Sequence, residues 1–222
     1  MTFERFGAKR RDLLALGALT LLPSLAFSAA ARAQAPEQEL AKIPLDSLLA
    51  EQALPDLWLG DAKAPVTIIE YASMTCTHCA EFYVKTFPLL KANYIDKGKV
   101  RFSLREFPLD PLAAAAAMLA RCSGDKREPM VELLFQTQRN WAFVNNPVEA
   151  LIGVIKQTGM NEKTFEACLN DQKLFEKIDA VRAAGSQKFG IHATPTFFIN
   201  GEKHEGEILP DKLDATLAPF LK

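Results

Sequence analysis

Cys76-Thr77-His78-Cys79 follows closely on the β-branched, apolar run Val66-Thr67-Ile68-Ile69-Glu70-Tyr71-Ala72, and this pairing constrains the fold more than any other feature of the chain. Two thiols at this spacing, where a strand gives way to a helix, can close a ring and reopen it. Far downstream, Thr194-Pro195-Thr196-Phe197-Phe198-Ile199-Asn200-Gly201 sets a proline directly ahead of an apolar strand. A cis X-Pro turn there would face the dithiol. Together the two segments imply reversible thiol-disulfide exchange.

Between these anchors the hydrophobic pattern changes period. Residues 60–65 form a turn and Val66 to Ile69 a central strand. From Cys76 the pattern is helical, with Phe82, Leu89 and Leu90 available to one face; Pro88 inside the run predicts a kink near Phe87. Val100, Phe102 and Leu104 alternate with Lys99, Arg101, Ser103 and Arg105, the period of a strand with one buried face. Strand signals then fade. Residues 113–121, 130–138, 147–157, 162–169 and 174–188 all carry helical spacing or propensity. Thr196 to Ile199 returns to strand character, Asn200-Gly201 marks a hairpin, and 210–221 reads as a closing amphipathic helix. Residues 34–65 mix prolines with short apolar clusters and predict an arm plus one edge strand.

The first 33 residues differ in character. Lys9-Arg10-Arg11 precedes an apolar stretch from Leu13 to Phe27, and Ala31-Arg32-Ala33 fits a signal-peptidase site, which predicts cleavage after Ala33. With Gly17 and Pro23 inside it, the short apolar core suits a cleaved leader better than a membrane anchor. Arg10-Arg11 fits the twin-arginine export pattern about as well as the general route. The full chain carries 26 basic and 27 acidic residues; losing the leader's five basic and two acidic ones leaves it mildly acidic. Without a long basic stripe, nucleic acid is a poor partner. All four cysteines lie beyond the leader, and an even count in an exported chain allows every thiol to be paired. The expected compartment is a bacterial periplasm.

At a helix N-terminus, unsatisfied N–H groups and the helix dipole favour a thiolate. Cys76 is therefore the candidate nucleophile, and Cys79, one turn further in, the candidate resolving thiol. His78 is a candidate for a charge or hydrogen bond beside that thiolate. Glu70 lies in the preceding strand, where a carboxylate within reach of Cys79, directly or through water, can take its proton and return it. Periodicity alone does not decide whether Glu70 is buried. Thr194 and Pro195 are candidates for binding an extended substrate chain through the backbone at the proline.

A zinc cluster would need a second close Cys or His pair, and Cys122 and Cys168 are far apart in the chain. These two read either as buried free thiols or as a structural disulfide tying two helices together. C-type haem attachment fails because Ala80 stands where histidine is required. No cofactor or metal is expected, and His192 and His204 read as ordinary histidines.

Glu70, Cys76-Thr77-His78-Cys79 and Ala193 to Gly201, in this order of elements, resemble the DsbA family of thiol-disulfide oxidoreductases over about residues 55–222. The resemblance implies an α/β protein, a thioredoxin fold interrupted by an inserted α-helical domain. Its expected parts are a signal peptide (1–33), an N-terminal arm (34–54), the first part of the thioredoxin fold (55–108), the helical insertion (109–188) and the second part (189–222). It also strengthens the proton-transfer role of Glu70. Some DsbA relatives carry a second cysteine pair, which favours the disulfide for Cys122 and Cys168.

The implied activity is oxidation of unfolded, cysteine-containing exported proteins, with reoxidation by a DsbB-like membrane partner. Thr194 before the proline departs from the best-known oxidase pattern and resembles residues found in isomerases as well as in some oxidases. An isomerase or reductase kept reduced by a DsbD-like partner is thus the alternative. Residues 35–53 are too short and proline-interrupted for a sustained coiled coil, which favours a monomer. A non-catalytic copper-binding or holdase protein is the third reading, and it leaves Glu70, His78 and Pro195 unexplained.

Overall fold

The computed structural model describes residues 42–221; the leader, its cleavage site and the start of the arm lie outside these residues. A short helix α1 (Leu45–Leu49) precedes a four-stranded sheet built from β1 (Val66–Ala72), β2 (Val100–Glu106), β3 (Thr196–Ile199) and β4 (Glu202–Glu205). The strand order is β2-β1-β3-β4. β1 and β2 run parallel, from Val66 beside Val100 to Ala72 beside Glu106, whereas β3 is antiparallel to both β1 and β4.

A parallel pair requires a crossover. Here it is the helical run that starts at the dithiol: α2 (Thr77–Glu81), a π-helical turn (Phe82–Thr86), α3 (Phe87–Leu90) and a second π-helical turn (Lys91–Ile95). Pro88 does not break this run. Its missing N–H and bulky ring disturb the hydrogen bonds of the turn before it, and the wider π turn lies there. Phe82 and Leu90 are buried, but Leu89 is 41% exposed. Adjacent helix residues point about 100° apart, so Leu89 and Leu90 do not share the inward face.

β2 corrects the expectation of a single buried face, for Ser103 and Arg105 are as enclosed as their apolar neighbours. Arg105 is accommodated because its guanidinium is well supplied with acceptors. Nε and Nη2 donate to Asp56 at 2.7 and 2.6 Å, Nη1 to the Tyr71 hydroxyl at 2.8 Å and Nη2 to the Leu48 carbonyl at 2.5 Å. A buried charge without such partners would be strongly destabilising. Glu106 is similarly held, by Arg121 at 2.6 Å and Arg127 at 2.9 Å. The Arg105 bonds also anchor the segment before β1, where the expected edge strand is reduced to isolated bridges of Leu59 with Phe102 and Lys42 with Glu202. Pro44, Pro55 and Pro65 lack the donors a longer ladder needs.

At the hairpin, Asn200 (φ 47°) and Gly201 (φ 91°) supply the left-handed conformations that a tight β-turn requires. Gly201 is needed for space as well, since a Cβ there would collide with the Ile43 carbonyl oxygen. Asn200 Oδ1 accepts the Thr67 N–H at 2.8 Å, tying the hairpin to the start of β1.

Between β2 and β3 lie α4 (Pro111–Cys122), α5 (Arg127–Gln136), α6 (Gln138–Trp141), α7 (Pro147–Lys156), α8 (Glu162–Leu169) and α9 (Gln172–Phe189). Asp110 caps α4 through the Ala113 N–H, with Pro111 in the first turn. The alanines of α4 let α5, α8 and α9 pack closely around it. After the hairpin, α10 (Leu213–Leu217) closes the chain between two short 3₁₀ turns. The βαβ half and the ββα half share one sheet with helices inserted between them, a thioredoxin fold with a helical insertion.

Candidate active site

Cys76 is the N-cap of α2, with extended backbone (φ −78°, ψ 121°), so the helix N–H groups open towards its sulfur. The loop before it is fixed from the insertion. Buried Gln138 donates through Nε2 to the carbonyls of Met74 and Cys76, both at 2.9 Å, and Thr75 donates to Asp110 Oδ2 at 2.5 Å. Sequence reasoning missed Gln138 and Asp110, whose positions carry no local pattern pointing to the dithiol.

The peptide bond between Thr194 and Pro195 is cis. Cys76 Sγ lies 3.2 Å from the Thr194 carbonyl oxygen, to which the protonated thiol donates. The Cys76 pKa is lowered to about 5. The largest cause is donation from the Cys79 thiol; burial opposes it, and the Thr194 hydroxyl and the backbone N–H groups of Cys79 and His78 add to it. Cys79 has no exposed surface, and its pKa is raised well above the usual thiol range, first by burial and then by its donation to Cys76. Both thiols are free in this structure. One sulfur is thus prepared as an anion and the other kept protonated beneath it.

Glu70 is completely buried on β1, and neither carboxyl oxygen has a hydrogen-bond partner among the described residues. Burial, then the charges of Cys76 and Glu128, raise its pKa well above the carboxylate range. Burial of this kind favours the protonated form of a carboxyl. Two further titratable groups beside it, Tyr83 and Glu128, were not singled out from sequence. The Tyr83 hydroxyl and Glu128 Oε1 are also buried without partners among the described residues.

His78 is arranged differently from expectation. Its imidazole is 65% exposed and faces Glu207, Nδ1 lying 3.5 Å from Oε1, while its backbone N–H serves Cys76. His78, Glu81 and Glu207 bring ligand-capable atoms within 4.8 Å of one another, the one such grouping found among the described residues. Lys85, 3.7 Å from Glu81, already neutralises part of its charge.

Cys122 of α4 and Cys168 of α8 are joined as a disulfide with Cα atoms 6.1 Å apart. A cavity of about 670 Å³ beside Cys122 also touches Met130, Leu133 and Met160. A second, of about 690 Å³, begins at Thr75 next to Cys76 and is walled by Leu109, Leu112, Phe143 and Val148. Leu109, Phe143 and Val148 are each more than half exposed there.

A thioredoxin fold with a dithiol at a helix N-terminus and a cis-proline against the first sulfur defines the thioredoxin-like redox class, and the thioredoxin family model matches residues 52–218. The chain belongs to that family and, within it, to the DsbA-like proteins. It is 33% identical to α-DsbA1 of Wolbachia pipientis, whose crystal structure superposes with a TM-score of 0.72 over 79% of this chain and 95% of that one. It is 35% identical over 152 residues to a Rickettsia typhi chain named as a protein-disulfide oxidoreductase, covering 68% of this chain and 56% of that relative. The chain thus spans just over half the length of the curated relatives it matches first. BdbD of Bacillus subtilis, at 24% identity and a TM-score of 0.63, covers 76% of this chain and 94% of its own and shares the fold.

Proposed function

We propose that this protein oxidises cysteine-containing polypeptides during export, using a disulfide between Cys76 and Cys79. The lowered pKa of Cys76, about 5, carries this reading. A stabilised thiolate favours the reduced form, so the corresponding disulfide readily accepts electrons. A substrate thiolate attacks Cys76 Sγ, the Cys76–Cys79 bond breaks, and Cys79 leaves with a proton from Glu70. A second substrate thiolate then attacks the substrate sulfur of the mixed disulfide and releases Cys76 as thiolate. Two electrons pass from substrate to enzyme.

Ionisation of Cys76 removes its S–H donation to the Thr194 carbonyl, which is then an acceptor for the N–H of an extended chain. Thr194 and Pro195 so provide the peptide-binding edge, and the groove beside Thr75 accommodates apolar side chains of an unfolded substrate. His78 contributes through its backbone N–H, while the Cys122–Cys168 disulfide supports residence in an oxidising compartment, the periplasm, reached by the leader. The protein is a monomer in this reading, since residues 35–53 are too short and proline-interrupted for a sustained coiled coil. A DsbB-like membrane protein is the proposed oxidant.

The equilibrium potential of the Cys76–Cys79 couple against glutathione tests the direction, on the mature protein and on a Cys122→Ser, Cys168→Ser background. A value near the about −120 mV of DsbA supports an oxidase; one near or below thioredoxin's about −270 mV moves the assignment to a reductase with a DsbD-like partner.

A further inference from the structure

Each reduction of the dithiol takes up two electrons and one proton, since Cys76 ends as thiolate and Cys79 as thiol. That proton must reach, and on reoxidation leave, a sulfur with no exposed surface. Glu70 is equally enclosed, and its carboxyl oxygens lack partners among the described residues. It can exchange a proton with Cys79, but a further group has to connect it with water.

Two groups without hydrogen-bond partners among the described residues continue outward. The Tyr83 ring is stacked between Phe87 and Phe135, at centroid distances of 4.6 and 4.5 Å, and its hydroxyl is buried. Tyr83 also forms the inner wall of a surface pocket of about 190 Å³ shared with Lys91, Asp96 and Glu132. Glu128, in the first turn of α5, keeps Oε1 buried while the residue as a whole remains partly exposed. The preceding residue fixes its place. Arg127 Nη2 donates to the carbonyl of Leu104, the strand neighbour of Glu70. The start of α5 is therefore pinned beside Glu70, and the charge of Glu128 acts on both Glu70 and Tyr83.

We propose that Tyr83 and Glu128 form a proton route between Glu70 and solvent, with Glu128 as its outer station. Tyr83 relays by donating its proton on one side and accepting another on the other. Glu128 faces Arg127 and Lys91, which favour its anion, and Glu132, which opposes it. Arg127 is also committed to Glu106 at 2.9 Å, and Lys91 to Asp96 at 2.8 Å. When a mixed disulfide on Cys76 collapses, the Cys76–Cys79 bond forms, the bond to the departing thiol breaks, and that thiolate is protonated by solvent. The proton of Cys79 leaves through Glu70, Tyr83 and Glu128.

This inference rests on Glu70 carrying the proton of Cys79. It is tested by stopped-flow measurement of the collapse of a glutathione mixed disulfide on Cys76, in the full mature chain and its Glu70→Gln, Tyr83→Phe, Glu128→Gln and Glu128→Asp variants. The alkylation midpoint of Cys76 reports that the thiolate site is intact in each. Glu128→Gln is expected to slow collapse roughly tenfold, Tyr83→Phe to slow it as well, added imidazole to restore the Glu128→Gln rate, and Glu128→Asp to keep it. A wild-type rate in Glu128→Gln overturns the route. So does a slowing that neither imidazole nor the Asp variant relieves, the mark of a structural effect. A wild-type rate in Glu70→Gln removes the underlying Glu70 assignment, and the route with it.

Discussion

Cys76 Sγ and the carbonyl oxygen of Thr194 lie 3.2 Å apart although 118 positions separate them in the chain. The sulfur with the lowered pKa is thereby in contact with the backbone proposed to hold the substrate. A bound chain and its cysteine would meet one rigid frame, made by β1, the start of α2 and the loop leading to β3.

Alkylation of Cys76 should follow its ionisation, with a midpoint at about pH 5. The buried Thr194 hydroxyl has no hydrogen-bond partner among the described residues while Cys76 is a thiol and is free to donate to its thiolate, so Thr194→Val should raise that midpoint by about one unit. A midpoint in the ordinary thiol range, about 8.5, would sink the thiolate assignment.

Replacing each cysteine separates their roles. Cys76→Ser should abolish exchange, whereas Cys79→Ser should accumulate mixed disulfides at Cys76 that mass spectrometry detects. Normal turnover by Cys79→Ser would show that the buried thiol does not resolve the intermediate.

His78→Ala leaves the backbone N–H and removes an imidazole that faces Glu207. It should move the Cys76 midpoint less than Thr194→Val does. A larger shift would mean that the imidazole, and not the backbone, stabilises the thiolate.

Disulfide Cys122–Cys168 closes a loop between α4 and α8 with a sequence separation of 46. Cys122→Ser with Cys168→Ser should cost about 4 kcal/mol by the loop-entropy estimate, measured by urea unfolding. A loss below about 1 kcal/mol would show that helix packing alone holds α4 to α8.

The Glu128 pKa is pushed up to about 7 by burial. Its folded pKa lies above the unfolded one, so its stabilising effect relative to an ionised carboxyl is complete at low pH. It is lost as the pH rises from the ordinary carboxylate range through about 7. Glu128→Gln should accordingly gain on the order of 1–3 kcal/mol at pH 8 and almost nothing at pH 4. Guanidinium unfolding at the two pH values checks this, and equal effects at both would contradict a buried, titrating carboxyl. A gain in stability would accompany the predicted loss in collapse rate.

Much of the architecture was legible because it is written at short range. The run from Val66 to Ala72, the dithiol after it, the helical spacing of 162–169 and the Asn200-Gly201 turn each depend on a few neighbouring residues. The alternation in β2 was legible too, but it misled about the polar side. Arg105 and Ser103 are enclosed by segments that pass over them, and a strand's own pattern does not contain its cover.

The sequence by itself determined the order of strands and helices, the closely spaced pair Cys76 and Cys79, and the proline opposite them, because backbone propensity and spacing act locally. Only the tertiary structure decided that Glu70 is sealed without a partner among the described residues and that His78 turns towards Glu207. It also placed Gln138 on the carbonyl of Cys76 and brought Cys168 to Cys122. Each of these depends on which distant segments meet. Burial and the surrounding charges then set the protonation of Glu70 and Cys79, quantities that no stretch of chain possesses alone.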